Sequence, residues 1–511
     1  MTFISLLYGL FLISTIVLYW GFQNRSTRLA LLLFASLIFY GSVQLQSVPL
    51  LLLSAIVNFI LGRAIGDDRT PIRYKRDWKL SNQAWKAANQ SSQYRRVALL
   101  VVGIVFNVLL LLGFKYGSLL FPSSAEGTAA EVLGRGWGWL DPYLIAPLGI
   151  SFFTFECLAY LIDVYRGAPI SRDFLQFSAY RFFFPKLISG PITRYHQWSE
   201  QLEKQELPAI DRMGEGLWLI ASGSIKKGLL ADNLGLFVDL CFDNMQRAGS
   251  FDLWLAIVAY GFQLYLDFSG YVDIARGSAI LLGWTLPVNF DFPYLTTSIA
   301  DFWRRWHITL GDWLRNYLYF PLGGSRRGLS RTCINLMVVM LIAGIWHGSA
   351  GSHLDPRGYL VWGALHGLAL VVHRWGDVLA NRADWVKAWW RSVPGTVLAW
   401  GMTQGMVFLS WVFFRLPDLK ESGWVMQHLW HYPADAQFAQ KVYVESLGLG
   451  RSELTLLLGA LTVGMGVAYL CDRGLKLQLN WPVKLLLVPA CFYLVWLLAP
   501  QNSLPYIYFE F

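Results

Sequence analysis

The chain has 511 residues, 55% of them hydrophobic and 15% charged, and a formal net charge of +9. This is far too apolar for a soluble globular protein. Because the basic residues gather in loops beside apolar runs, the charge reports membrane orientation and gives no reason to expect nucleic acid as a partner.

Lipid cannot hydrogen-bond an exposed backbone, so a spanning chain is a helix bundle or a closed barrel, and long apolar runs select helices. The predicted class is all-α, a polytopic membrane bundle of about eleven spans plus re-entrant pieces. Cys157, Cys241, Cys333, Cys471 and Cys491 lack C-x-x-C spacing and read as small buried hydrophobes.

The first apolar runs are Phe3 to Trp20, Leu29 to Val43 and Val48 to Leu61. The first lacks a basic leader and an A-x-A-like cleavage site, so it reads as a retained span. Arg63 to Arg96 follows with nine Lys/Arg against three Asp/Glu, which makes it cytoplasmic and puts the N-terminus outside. Val97 to Leu120 exits to an acidic loop, Pro122 to Asp141, and Tyr143 to Leu161 returns. In RFFFPKLISGPITR (Arg181 to Arg194) Pro185, Gly190 and Pro191 argue against an unbroken helix and for a broken or re-entrant segment.

Gly216 to Phe242 is interrupted by Lys226, Lys227 and Asp232. Trp254 to Trp284 carries YGFQLYLDFSGYVDIARG, whose polar groups at membrane depth must face a cavity. Later spans are Cys333 to Trp346, Tyr359 to Val372, Val397 to Phe414, Leu454 to Cys471 and Val483 to Leu498, with a folded surface loop over 415–453. No boundary for a separate soluble domain is visible, so 1–511 reads as one integral membrane domain with N-terminal spans over 1–121 and C-terminal spans over 397–511.

Asp301 to Gly324 is too charged and too aromatic for an ordinary lipid-facing helix, and an interfacial amphipathic helix does not account for Asp301 and Asp312 beside so many tryptophans. His307 lies within it. His347 closes the next apolar segment, and His366 sits inside YLVWGALHGLALVV. An ionisable residue at such depth is a functional candidate, weighed against helix-end hydrogen bonding for His347 and helix packing for His366. Solvated or interfacial roles suit His353, His373, His428 and His431. No H-E-x-x-H and no Cys/His pair of ligand spacing occurs, so no metal site is predicted.

Four stretches coincide with one family: PLGISFFTFECLAYLIDVYRG, RFFFPKLISGPITRYHQW, YGFQLYLDFSGYVDIARGSAILLGWTLPVNFDFPY and SIADFWRRWHITLGDWLRNYLYFPLGGSR, followed by GIWHG and WGALHG. Together they resemble the membrane-bound O-acyltransferase family, and within it the bacterial alginate O-acetyltransferase branch. The resemblance implies a bundle around a central tunnel with its catalytic core over 143–376. It also implies a cytoplasmic acyl thioester such as acetyl-CoA as donor, no tightly bound cofactor, and an acceptor arriving from the opposite side. His347 corresponds to the family's principal histidine in W-H-G, and His307 to its second in R-W-H.

The implied activity is transfer of an acyl group, acetyl by preference, to a hydroxyl of an exported polysaccharide or of a relay partner, in the bacterial inner membrane. Membrane lipid, an exopolysaccharide acceptor and an SGNH-type acetyltransferase are the implied partners. D-alanyl transfer to a surface polymer, a transporter and a scaffold without chemistry are the alternatives. Asp267, Tyr265, Gln263, Trp306, Trp346, Asp312 and His366 are candidates for lining the tunnel, with Asp267 equally able to form an ion pair with Arg276 or Arg305. Glu156 adds a buried carboxylate. Lys226, Lys227, Arg326, Arg327 and Arg331 offer positive charge to an anionic donor, although orientation alone explains them.

Overall fold

The computed structural model describes residues 3–67, 82–120, 146–348, 357–500 and 504–507. The acidic loop 122–141, most of the charged part of 63–96 and the 349–356 connection with His353 lie outside them. Among the described residues every regular element is helical. Six stretches of the described residues are long and apolar enough to cross a membrane: Arg25–Gly66, Gln93–Tyr116, Leu329–His347, Val393–Arg415, Arg451–Gly474 and Trp481–Leu498. The chain divides into two compact units, Met1–Ala209 with Ser278–Leu286, and Ile210–Gly277 with Pro287–Phe511.

The first unit holds α1 (Leu6–Gly21), α2 (Arg25–Gln44), α3 (Val48–Asp67), α4 (Asn82–Leu120), α5 (Ile150–Arg166), α6 (Phe174–Arg181) and α7 (Tyr195–Leu202). Ser5 and Asn24 start the first two helices by accepting from the N–H groups of Tyr8 and Ser26. Buried polar groups pair across helices. Asn58 and Asn107 exchange reciprocal amide hydrogen bonds at 3.2 and 2.7 Å, and the Tyr8 hydroxyl meets Ser278 Oγ at 2.8 Å.

α6 stops at Arg181 and the chain continues in turns and extended backbone to Tyr195, as the two prolines require. Glu156 organises this broken segment. Its carboxylate accepts from Lys186 Nζ at 2.7 and 2.6 Å, from the Thr193 N–H at 2.9 Å, from Thr193 Oγ1 at 2.8 Å, and from Arg181 Nη1. A carboxylate with this many donors is a structural clamp, which is why a charge is tolerated there.

In the second unit, α8 (Ile210–Ser224) runs through a π-helical turn (Ile225–Ala231) into α9 (Asp232–Asp243). The π turn carries the two lysines that interrupt the apolar run. Lys227 lies buried between Asp267 Oδ1 at 2.6 Å and Asp232 Oδ1 at 2.7 Å, and Lys226 pairs with Asp273 at 2.6 Å. Lys227 Nζ also reaches Pro505 O at 3.3 Å, and Asp267 Oδ2 accepts from the Ile507 N–H at 3.1 Å, which straps residues 504–507 to α10 (Ser250–Leu281).

The arm from Asp301 is two short helices, α11 (Ile299–Arg305) and α12 (Ile308–Leu314), followed by a π turn, Arg315–Tyr319. Then come α13 (Leu329–His347), α14 (Arg357–Ala380), α15 (Asp384–Arg391), α16 (Val393–Arg415), α17 (Leu419–Gln427), α18 (Arg451–Tyr469) and α19 (Trp481–Leu498). The 415–453 stretch contains α17 and a second helical segment, 436–447. Buried Asp252 anchors it, taking the Tyr443 hydroxyl at 2.7 Å and Arg451 Nε at 2.9 Å. The short α15 exposes Trp385, Trp389 and Trp390, the composition of an interfacial helix.

Candidate active site

α13 and α14 pack backbone to backbone because glycines face each other. A Cβ on Gly344 would stand 2.4 Å from Tyr359 O, and one on Gly363 would stand 2.6 Å from Met340 O. This close pairing delivers His347, the last residue of α13, to Trp362 on α14, with ring centroids 5.2 Å apart. His347 is buried, with Trp346 at 4.4 Å, Phe414 of α16 at 4.9 Å and Tyr359 at 6.5 Å.

His307 separates α11 from α12 and takes a left-handed backbone with φ 43. A non-glycine residue there is strained and persists only where its surroundings over-determine it. Asn289 supplies that constraint. Its carbonyl accepts from the Ile308 N–H at 3.0 Å, and its Oδ1 accepts from the Thr309 N–H at 3.1 Å and Thr309 Oγ1 at 2.7 Å. The imidazole packs on Phe268 at 4.8 Å, and burial pushes its pKa down to about 3, so the ring is neutral.

Successive ring contacts run from His307 to His347: Phe268 to Phe290 at 5.1 Å, Phe290 to Trp306 at 5.1 Å, Trp306 to Trp411 at 5.2 Å, and Trp411 to Phe414 at 5.4 Å. Tyr265 joins this wall through Phe290 at 5.7 Å and Trp306 at 6.4 Å. α16 is held in register by Trp400 Nε1 donating to Tyr294 O at 3.0 Å and Gln404 Nε2 to Thr296 O at 2.8 Å.

The third imidazole, His366, is fully buried on the same wall. Its centroid lies 4.9 Å from that of Trp362, 5.2 Å from Trp303 and 6.1 Å from Trp411. The indole Nε1 atoms of these three tryptophans and His366 Nδ1 are buried without a hydrogen-bond partner. Left dry, each such group costs about 1–3 kcal/mol.

The other candidates separate. Trp306 and Trp346 are buried in the wall, and Gln263 is buried with its Oε1 unpartnered. Asp267 pairs with Lys227, while Arg276 takes Asp273 at 3.7 Å and Arg305 takes Asp301 at 3.0 Å. Asp312 is not part of the wall: its side chain is 48% exposed and pairs with Arg315 at 2.5 Å. Lys226 and Lys227 are neutralised internally, so of the expected donor-attracting cations only Arg326, Arg327 and Arg331 are exposed. Among the described residues no group of three His, Cys, Asp or Glu side chains is placed to hold a metal. Trp303, Trp362, Trp411 and Ser410, which join this wall, were not sequence candidates: Trp303 lies in the charged arm, and the other three are indole or hydroxyl groups inside apolar runs.

Apolar helices long enough to span, with imidazoles buried on an aromatic wall, define an integral membrane protein. The chain belongs to the membrane-bound O-acyltransferase family, whose sequence model matches residues 78–413. It is thus an O-acyltransferase. It is 33% identical over 406 residues to the "probable alginate O-acetylase" of Pseudomonas syringae pv. tomato, covering 78% of this chain and 70% of that one. It is 34% identical to the protein of the same description in Pseudomonas aeruginosa, with 77% and 68% covered. The peptidoglycan O-acetyltransferase of Helicobacter pylori is 33% identical over 418 residues, with 76% and 71% covered.

Proposed function

We propose that the chain moves an acetyl group from a cytoplasmic thioester, acetyl-CoA or an acyl carrier, to a hydroxyl of an exported polysaccharide in the bacterial inner membrane, with its N-terminus outside. The observation that carries this reading is the burial of His347 at the C-terminal end of α13 on a continuous aromatic wall. His347 takes the acceptor's hydroxyl proton as its oxygen attacks the thioester carbonyl. The tetrahedral oxyanion collapses, the C–S bond breaks, and the proton passes to the leaving thiolate. Carbonyls at the helix C-terminus favour the transient imidazolium. His307, neutral and fixed by the Asn289 clamp, holds the reacting centre in place.

The names of the relatives support acetyl as the group and a polysaccharide as the acceptor. The exposed Arg326, Arg327 and Arg331 suit an anionic donor on the cytoplasmic side. An SGNH-type acetyltransferase would complete the relay.

Purified protein in lipid vesicles, given labelled acetyl-CoA and an alginate oligosaccharide, tests this. Label recovered as base-labile ester on the sugar is the expected result. Oligosaccharide crossing the vesicle with no ester formed would make the protein a transporter.

A further inference from the structure

We infer that His366, with the indole N–H groups of Trp303, Trp362 and Trp411, forms a second recognition site, which holds a neutral substrate group able both to donate and to accept a hydrogen bond. The tautomer of His366 follows from its partner. Ser410 Oγ lies 2.8 Å from His366 Nε2 and donates its one hydrogen to Val407 O at 2.7 Å. The hydroxyl therefore meets Nε2 as an acceptor, and the imidazole proton sits on Nε2. In the neutral ring the lone pair is then on Nδ1.

Among the described residues that Nδ1 is an acceptor with no donor, on a side chain with 0% exposure. The rings around it supply the opposite need, since Trp303, Trp362 and Trp411 each carry a buried N–H with no acceptor. Their positions come from three elements, α11, α14 and α16, so no local turn explains the coincidence. A carbonyl alone could accept from two of the indoles and would leave Nδ1 empty, and a cation would meet three donors. A hydroxyl or a secondary amide donates to Nδ1 and accepts from up to two of the indoles. The rings packed on His366 are those of Phe302, Trp303, Trp362 and Trp411. Trp362 contacts both His347, at 5.2 Å, and His366, at 4.9 Å. A substrate segment bound at His366 is thereby one ring away from the proposed base.

The site rests on the acyltransfer reading, and the group it holds is either a hydroxyl of the sugar acceptor or an amide of the donor's pantetheine arm. His366 is a positioning residue here, and its variants are chosen to separate the two ring nitrogens. In His366→Gln the side-chain amide reaches the place of Nε2, keeps the Ser410 bond and removes the Nδ1 acceptor. In His366→Asn an amide oxygen stands in for Nδ1 and the Ser410 bond is lost. Trp303→Phe, on another element, removes one N–H and keeps a ring.

Steady-state transfer from acetyl-CoA to an alginate oligosaccharide is measured for each variant, together with its thermal unfolding in detergent. His366→Gln is expected to raise one KM about tenfold, as for one lost hydrogen bond, with kcat within about threefold. His366→Asn raises the same KM less, and Trp303→Phe raises it in the same direction. A rise in KM for the oligosaccharide assigns the hydroxyl, and a rise for acetyl-CoA assigns the amide. The proposal is overturned if neither KM moves, or if His366→Gln behaves as wild type while His366→Asn fails, the order that a packing role predicts. A wild type that transfers nothing defeats the acyltransfer reading instead.

Discussion

His347 and Trp362 meet edge to face, with ring centroids 5.2 Å apart and planes at 88°. The contact exists because α13 and α14 approach through Gly344 and Gly363, where side chains would separate the helices. The proposed base, placed by helix packing rather than by a loop, should be sensitive to that packing.

Gly344→Ala puts a Cβ 2.4 Å from Tyr359 O, a backbone atom that cannot turn aside. Overpacking of this kind costs about 1–3 kcal/mol. Thermal unfolding in detergent should fall accordingly, and acetyl transfer should fall at least about tenfold as His347 shifts. Unchanged transfer with unchanged stability would show that the helices can separate freely.

The left-handed backbone at His307 should be separable from its ring. Asn tolerates that backbone, so His307→Asn should fold while kcat falls roughly a hundredfold, in the range for a group acting on the transition state. Asn289→Ala, which releases Thr309, should lower kcat about tenfold and leave KM near wild type. The two parameters measured side by side distinguish a loosened site from weakened binding.

Acid should destabilise the protein through the same residue. Burial lowers the pKa of His307 from the ordinary value near 6.5 to about 3, so between these values the unfolded chain binds a proton that the folded chain excludes. Stability is whole above about pH 6.5 and declines as pH falls, by up to about 1.4 kcal/mol per pH unit. Thermal unfolding compared at pH 7 and pH 5 should show a larger loss for wild type than for His307→Asn.

Lys227 pairs with two buried carboxylates at once. Lys227→Met should destabilise by about 3–5 kcal/mol, the cost of stranding buried charge, and Asp232→Asn with Asp267→Asn added should recover part of it. Chemical denaturation of the single and triple variants reads the difference.

The order of helices was legible from the apolar runs, and the break at Pro185 to Pro191 from its prolines, because both are local properties. His307 stood out in a segment too charged for a lipid-facing helix, and His347 as an imidazole closing an apolar one. What could not be read was pairing at long range. Asp267 finds Lys227, forty positions earlier and inside a π turn, instead of Arg276 or Arg305. His366 finds Ser410, forty-four positions on. Glu156 gathers partners as far as Thr193. The available signal was charge balance, since two carboxylates in apolar runs demand a cation, yet balance does not say which one. Asp312 misled because its tryptophan neighbours suggested depth, whereas the short helix turns its carboxylate outward to Arg315.

The central claim is that His347 removes the acceptor's proton. Single-turnover transfer of labelled acetyl from acetyl-CoA to an alginate oligosaccharide, compared in wild type and a folded His347→Ala protein, tests it most directly. The account predicts normal donor binding and a rate lowered by at least about a hundredfold, as for loss of a general base. Transfer by His347→Ala at the wild-type rate would contradict it.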